Sequence, residues 1–134
     1  MRGVATQASL QRVLGHYADS GWRAERAVIT GDLIQDDSAA AYDRFRKLLL
    51  PLNMRMHCVP GNHDVRELMR KVCCAPPFSY CASEEIENWL IIGLDSCVKE
   101  SAGGHVTLGE LERLSDICLL YTSDAADEGV EGWG

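Results

Sequence analysis

The sequence has 134 residues, enough for one small domain, and its 46% hydrophobic and 25% charged residues are typical of a soluble globular protein. The net charge of −7 argues against a nucleic-acid partner. No apolar run approaches the roughly 20 residues of a membrane span, and residues 1–10 lack the apolar core of a signal peptide. We therefore expect a cytoplasmic protein that binds neither nucleic acid nor membrane.

Helical and strand patterns alternate in the first half of the chain. Apolar residues at helical spacing predict an amphipathic helix over Thr6–Asp19. The β-branched run Arg26–Thr30 predicts a buried strand that ends at Gly31. Ser38 is a good N-cap for a second helix that extends to about Leu50.

The same alternation continues in the second half. Thr107 and Glu110 match a capping box that opens a final helix. Strands that alternate with helices predict an α/β fold with a mostly parallel sheet and right-handed crossovers. Between the first half and the final helix the predicted elements are a strand over Met54–Val59, a helix over Val65–Val72, a short edge strand near Phe78–Tyr80 and a strand within Asn88–Ser96.

The segment Cys118–Gly134 differs from the rest of the chain. It holds four acidic residues, no Lys or Arg, and no amphipathic period. Its string CLLYTSDAADE resembles the translation of an adapter used in transposase-based sequencing libraries. We therefore interpret residues 1–117 as a partial domain and residues 118–134 as an adapter translation that is not a domain. The alternative is a genuine disordered acidic tail.

The cysteine count changes when that segment is set aside. Five cysteines remain, and none of them forms a C-x-x-C pair. An odd number does not suggest a disulfide framework, so reduced thiols are favoured over a zinc site or a disulfide.

Two polar loops directly follow predicted strands. Gly31–Asp37 reads GDLIQDD, and Gly61–Asp64 reads GNHD. In layered α/β sheets, ligands bind outside the carboxyl ends of the strands. We therefore expect the two loops to lie side by side on the functional edge of the sheet.

The side chains of these loops suit metal and phosphate chemistry. Asp32 follows a glycine at the end of its strand and can bind a hard divalent cation, although a loop cap is the alternative. Asn62 offers a neutral carbonyl oxygen as a metal ligand. His63 can donate a proton near neutral pH, and Asp64 can hold its imidazole in one tautomer. The alternative for GNHD is a tight turn in which the histidine is incidental.

Taken together, a strand ending in Gly-Asp, a helix, and a strand ending in Gly-Asn-His-Asp resemble the calcineurin-like metallophosphoesterases. GDLIQDDSAAAYDRFRKLL followed by VPGNHD is similar in particular to the bacterial class III cyclic nucleotide phosphodiesterases, as is the later LIIGLDS…GGHVTLGELERL. The resemblance covers about Arg2–Ile117. It implies a partial layered metallophosphoesterase sandwich that lacks the first strand and the C-terminal part.

The resemblance also implies a role for each matched residue. Asp32 matches the carboxylate that bridges two metal ions, and Asn62 matches a ligand of the second ion. His63 matches the histidine that contacts the phosphate, and Asp64 matches its orienting partner. Two divalent ions, Fe²⁺ or Mn²⁺ in the first place and Zn²⁺ as the alternative, would clamp the reacting oxygens of a small-molecule phosphodiester. The implied substrate is a 3',5'-cyclic nucleotide such as cyclic AMP.

The sequence departs from the family's pattern at both ends. It contains neither the Asp-x-His that supplies ligands before the first helix nor the later Gly-His-x-His pair. We expect a truncated fragment with an unpaired strand edge, marginal stability, poor metal affinity and little or no catalysis. We interpret His16, His57 and His105 as structural or loop histidines rather than substitute ligands.

Two other functions stay open at this point. A protein of the same fold can act as a non-catalytic scaffold for a protein partner, although the intact GD and GNHD motifs count against this. A hydrolase of the same superfamily can also act on glycerophosphodiesters or other phosphoesters. The sequence leaves the oligomeric state and the metal identity open.

Overall fold

The α/β architecture predicted from the sequence is confirmed by the structure. The computed structural model describes residues 6–129. One strand, β4, was not predicted. In chain order the elements are α1 (Thr6–Asp19), β1 (Arg26–Ile29), α2 (Ala39–Leu49), a 3₁₀ turn (Leu50–Leu52), β2 (Arg55–Cys58), α3 (Arg66–Cys73), β3 (Phe78–Tyr80), β4 (Ser83–Ile86), β5 (Trp89–Ile92) and α4 (Leu108–Gly129).

The first three strands form a parallel sheet in the order β1-β2-β3. Its register pairs Arg26 with Arg55 at one end and Ile29 with Cys58 at the other. The backbone N–H of Val59 donates to the carbonyl of Ile29 at 3.0 Å, which continues the ladder by one bond. The chain therefore leaves β1 and β2 at the same level of the same sheet edge.

The hydrophobic core lies between this sheet and helices α2 and α3. Helix α2 begins at the N-cap Ser38, whose hydroxyl accepts from the N–H of Ala41, as the sequence predicted. Burying a large apolar side chain contributes roughly 1.5–3 kcal/mol, so this layer supplies much of the stability. The largest fully buried side chains are Tyr42, Met56, Cys58, Met69 and Cys73.

A polar network around Glu84 joins the β4–β5 hairpin to the parallel sheet. The Nε2 atom of His57 lies 2.7 Å from Glu84 Oε2, and its Nδ1 atom lies 3.1 Å from Ser79 Oγ. The side chains of Arg26 and Arg55 also donate to the Glu84 carboxylate. His57 is buried with both ring nitrogens engaged, in agreement with its interpretation as a structural histidine.

The β4–β5 hairpin adds an antiparallel pair to the predicted, mostly parallel arrangement. Strand β5 lies within the predicted segment Asn88–Ser96, and it pairs with β4 in a separate two-stranded sheet. The sequence SEEI of β4 was missed because glutamate is uncommon in strands. Only Glu84 and Ile86 of β4 are sheltered from solvent, so the strand carries no strong apolar signal.

Helix α4 begins where the capping pattern predicted. The N–H of Glu110 donates to the hydroxyl of Thr107 at 3.2 Å. The helix continues through Cys118 to Gly129, so its backbone does not end at the boundary of the segment interpreted as an adapter translation, and that interpretation stays a prediction. Residues 130–134 lie outside the described residues. Among residues 6–129, no helix combines the length and apolarity that crossing a membrane requires.

Candidate functional site

The two polar loops meet at the carboxyl edge of β1 and β2, as predicted. Gly31 adopts a φ of +95°, which favours glycine. A Cβ atom on Gly31 would lie 2.8 Å from the carbonyl carbon of Pro60 and closer still to the backbone of Gly61. The approach of the two loops therefore depends on the absence of a side chain at Gly31.

Asp32 connects its loop to the GNHD loop. It adopts a φ of 54°, a left-handed conformation that is costly for a residue with a side chain. Its Oδ1 atom accepts a hydrogen bond of 3.1 Å from the backbone N–H of His63. The side chains of Asp32, Asn62 and His63 are all exposed, so solutes can reach them. The structure thus brings the predicted metal carboxylate within one hydrogen bond of the histidine's backbone.

Asp64 holds the two loops together through both carboxylate oxygens. Its Oδ2 atom accepts from the N–H of Gly61 at 2.9 Å. Its Oδ1 atom accepts from the N–H of Leu33 at 3.0 Å and from the hydroxyl of Tyr42 at 3.1 Å. The predicted orienting contact to the imidazole of His63 is not among these hydrogen bonds, because the carboxylate satisfies backbone donors of the loops instead.

Tyr42 contacts the site, and the sequence analysis did not single it out. Its side chain is 0% exposed, and its hydroxyl accepts from the N–H of Val65 at 2.9 Å while it donates to Asp64. Burial and the Asp64 carboxylate raise the pKa of Tyr42 well above its usual value, so the hydroxyl stays protonated. The sequence carried one signal for this contact, a tyrosine on the buried face of helix α2, because a buried hydroxyl requires a hydrogen-bond partner.

A cavity of about 820 Å³ opens beside Asp32 and His63. Leu10 of α1 and Phe45 and Leu48 of α2 provide apolar walls for this cavity. Its volume falls within the range of roughly 300–1,000 Å³ that is typical of small-molecule sites. The two predicted functional side chains therefore border a space of a size that is typical of small-molecule sites.

The described residues supply part of a metal centre. Asp32 offers a carboxylate and Asn62 an amide oxygen, both suitable for hard divalent ions. Among the side chains that the structure describes, residues 6–122, no group of three or more His, Cys, Asp or Glu is placed to hold a metal ion. His105 lies in an exposed loop, where its backbone N–H donates to the carbonyl of Ser96 at 2.7 Å. Two ligands do not hold two ions, so the donor set fits a dinuclear centre only in part.

The cysteines take no part in this donor set. None of the six cysteines forms a disulfide in this structure, and the reduced state of the thiols stays a prediction. Cys58 and Cys73 are buried in the core. A hydrogen bond to Cys73 and burial both raise the pKa of Cys58, so this thiol stays neutral.

Residues 6–132 match the family model described as calcineurin-like phosphoesterase. The chain belongs to this family. The match confirms the resemblance inferred from the GD and GNHD motifs, and it extends over part of the segment 118–134.

Curated relatives in the same family carry the name 3',5'-cyclic adenosine monophosphate phosphodiesterase CpdA. The one from Haemophilus influenzae is 32% identical over 117 residues, covering 85% of this chain and 42% of the relative. The one from Vibrio vulnificus is 33% identical over 115 residues, which cover 85% of this chain and 38% of the relative. The one from Escherichia coli K12 is 34% identical over 113 residues, which cover 84% of this chain and 41% of the relative. The chain thus spans less than half the length of these relatives.

Proposed function

We propose that this chain is the part of a metal-dependent phosphodiesterase that carries Asp32 and the GNHD loop, and that its substrate is a 3',5'-cyclic nucleotide such as cyclic AMP. The observation that carries the proposal is the hydrogen bond between Asp32 Oδ1 and the His63 backbone, formed at the shared edge of two parallel strands. The names of the curated relatives support the choice of substrate.

Asp32 and Asn62 are the described residues that would bind divalent ions. Such ions, when bound, polarise the phosphoryl oxygens and stabilise the charge that develops in the transition state. The hydrogen bond from His63 occupies Asp32 Oδ1, which leaves Oδ2 as the oxygen most available to a cation. The remaining ligands of a dinuclear centre lie outside the set that residues 6–122 bring together.

His63 is the residue proposed to act on the phosphoryl group. Its side chain is exposed and borders the same cavity as Asp32. An imidazole at this position can donate a proton to the leaving oxygen or stabilise negative charge on a phosphoryl oxygen. The hydrogen bond to Asp32 fixes the backbone of His63, so the two side chains keep their positions relative to each other.

The apolar part of the cavity suits the nucleoside portion of the proposed substrate. Leu10, Phe45 and Leu48 line it, while Arg44 and Asp36, paired at 3.2 Å, add polar groups. A glycerophosphodiester offers no aromatic base to bury against this wall, so burial of apolar area favours the nucleotide. This comparison favours a cyclic nucleotide over the glycerophosphodiester alternative.

A chimera tests the proposal in a complete fold. Residues 6–117 of this chain replace the matching segment of the Haemophilus influenzae relative, and hydrolysis of cyclic AMP is measured with Mn²⁺. We expect hydrolysis, and we expect Asp32→Ala or His63→Ala to reduce kcat by about 100-fold or more, because each removes a group that stabilises the transition state.

Controls make the result specific to the site. Asp37→Ala, in the same loop but not among the residues that line the cavity, should leave the rate unchanged. Glycerophosphocholine serves as the competing substrate. A folded chimera that hydrolyses cyclic AMP equally well with alanine at Asp32 would refute the assigned role, and a preference for glycerophosphocholine would refute the proposed substrate.

A further inference from the structure

A second carboxylate, that of Asp95, is linked to the residues that flank the GNHD loop on both sides. Asp95 follows strand β5, and its side chain is 13% exposed. Its Oδ2 atom pairs with Nε of Arg66 at 3.2 Å and accepts from the hydroxyl of Tyr80 at 3.0 Å. Arg66 is the first residue of α3, immediately after the loop that carries Asn62 and His63. The downstream end of the loop is therefore attached to Asp95.

The upstream end of the loop is attached to Asp95 through Cys97. The Oδ1 atom of Asp95 accepts from the backbone N–H of Cys97 at 3.0 Å. The thiol of Cys97 donates to the carbonyl of Pro60 at 3.0 Å, and Pro60 is buried directly before Gly61. Burial and the Asp95 carboxylate raise the pKa of the Cys97 thiol, which keeps this donor protonated.

Asp95 is itself fixed by helix α4. Its backbone N–H donates to Glu110 Oε2 at 3.1 Å, and the Glu110 carboxylate is paired with Arg113 at 2.9 Å. The Glu110 carboxylate thus accepts from Asp95 and Arg113. In a complete capping box it would instead accept from the backbone N–H of Thr107. A rigid support of this kind is what a precisely positioned loop requires, since errors of about 1 Å in a catalytic group are costly.

We propose that Asp95 is a positioning residue that holds the loop Gly61–Val65, and with it Asn62 and His63, from the β5 side of the sheet. Asp64 fixes the same loop from the side of α2, so the loop is held on two sides. The consequence for catalysis rests on the proposed function, whereas the effect on the loop does not depend on it.

Amide hydrogen exchange in the 134-residue chain, measured by NMR, tests this proposal. Asp95→Asn should speed exchange of the Gly61 and His63 amides about tenfold, because it weakens the charge-assisted contact at the loop's end. The Met56 amide within β2 should not change. Asp116→Asn, an exposed carboxylate on α4, is the matched control and should leave all three amides unchanged.

Cys97 provides a second pair of variants that perturbs the fold less. Cys97→Ala removes the donor to Pro60 and should also speed loop exchange, whereas Cys97→Ser keeps a donor and should restore the slow rate. The proposal is overturned if the loop amides are unaffected by Asp95→Asn and Cys97→Ala, or if Met56 speeds up equally, since that would show only a general loss of stability.

A Mn²⁺ titration of the same variants separates this inference from the proposed function. We expect Mn²⁺ to broaden the Asn62 resonance less in Asp95→Asn than in the unmodified chain, because the ligand is no longer held in place. If Mn²⁺ does not reach Asn62 in either protein, the metal-binding role proposed for Asn62 in this chain fails, and the exchange rates still decide whether Asp95 positions the loop.

Discussion

Single side chains at the sheet edge connect segments that are far apart in the chain. Asp64 accepts hydrogen bonds from Leu33, Tyr42 and Gly61, so one carboxylate joins the loop after β1, helix α2 and the loop after β2. Buried donors without a partner are costly, which makes this carboxylate a structural necessity for the two loops. Because Asp64 forms these structural hydrogen bonds, the side chains of Asp32 and His63 stay exposed and accessible to a ligand.

Alanine at Asp64 should therefore destabilise the protein. Asp64→Ala leaves the N–H groups of Leu33 and Gly61 without their acceptor, and we expect a loss of about 2–4 kcal/mol in the free energy of unfolding. Urea denaturation measures this change. Asp43→Ala, an exposed carboxylate on α2, is the control and should cost less than about 0.5 kcal/mol. Equal losses in the two variants would contradict the structural role.

Glu84 makes a testable contribution to stability at acid pH. The Arg26 guanidinium, together with His57 and Arg55, lowers the pKa of Glu84 from 4.5 to about 2. Because the folded-state pKa is below the unfolded value, the contribution is present above pH 4.5 and is lost as the pH falls towards 2. Glu84→Gln should flatten the loss of stability in this range, as measured by urea unfolding at several pH values.

The neighbouring Glu85 supplies the control for that measurement. It lies in the same strand with an exposed side chain. Glu85→Gln should retain the acid dependence of the unmodified chain. If Glu84→Gln and Glu85→Gln show the same pH profile, the network around Glu84 does not hold its carboxylate in the ionised form.

At the scale of secondary-structure elements, the site depends on how closely two strand ends approach. β1 and β2 run parallel in register, so their exit loops start at one level, and Gly31 and Gly61 allow the loops to touch. A Cβ atom on Gly61 would lie 2.8 Å from Cγ of Asp32 and closer to its Oδ1 atom. The glycine of GNHD therefore provides space for the carboxylate of the other loop.

Gly61→Ala should disrupt the site more than an alanine placed elsewhere. We expect a loss of about 1–3 kcal/mol in the free energy of unfolding, together with displacement of the Asp32 and His63 amide resonances. Gly15→Ala is the control, because a Cβ atom there has no neighbour within 4 Å and the residue lies inside helix α1. That variant should gain roughly 0.5–1 kcal/mol. A neutral Gly61→Ala with unmoved resonances would contradict the close approach.

The sequence predicted those elements whose signals are local. Helix α1 was predicted at its observed bounds because its amphipathic period is regular, and α2 because Ser38 caps it. The pairing of Asp32 with the GNHD loop followed from the geometry of parallel strands. Strand β4 was missed because its sequence SEEI carries little apolar signal, and because the side-chain partners of Glu84 lie 27 to 58 positions away.

The same reason explains which site contacts were missed. Asp64 was expected to face the neighbouring imidazole, but its partners include a backbone group 31 positions away and a tyrosine 22 positions away. Asp95 was not singled out at all, since its link to Arg66 exists only once β5 packs beside the loop. Contacts of this kind depend on tertiary packing, which a single sequence does not display.

At the scale of the whole molecule, the chain is a small α/β structure that belongs to the calcineurin-like phosphoesterase family. The family match covers residues 6–132, while the curated relatives extend to more than twice the matched length. Within the described residues β1 pairs only with β2, so β1 is an edge strand of the described sheet. The central claim is that Asp32 and Asn62 form a common cation-binding edge in this setting.

Paramagnetic line broadening by Mn²⁺ tests that claim most directly. In ¹⁵N spectra of the 134-residue chain, substoichiometric Mn²⁺ should first broaden the amides of Asp32, Asn62 and His63. Asp32→Asn should abolish this effect because it removes the charged ligand, while Asp37→Asn in the same loop should preserve it. Broadening confined to the acidic segment 118–134, or unchanged by Asp32→Asn, would contradict the account.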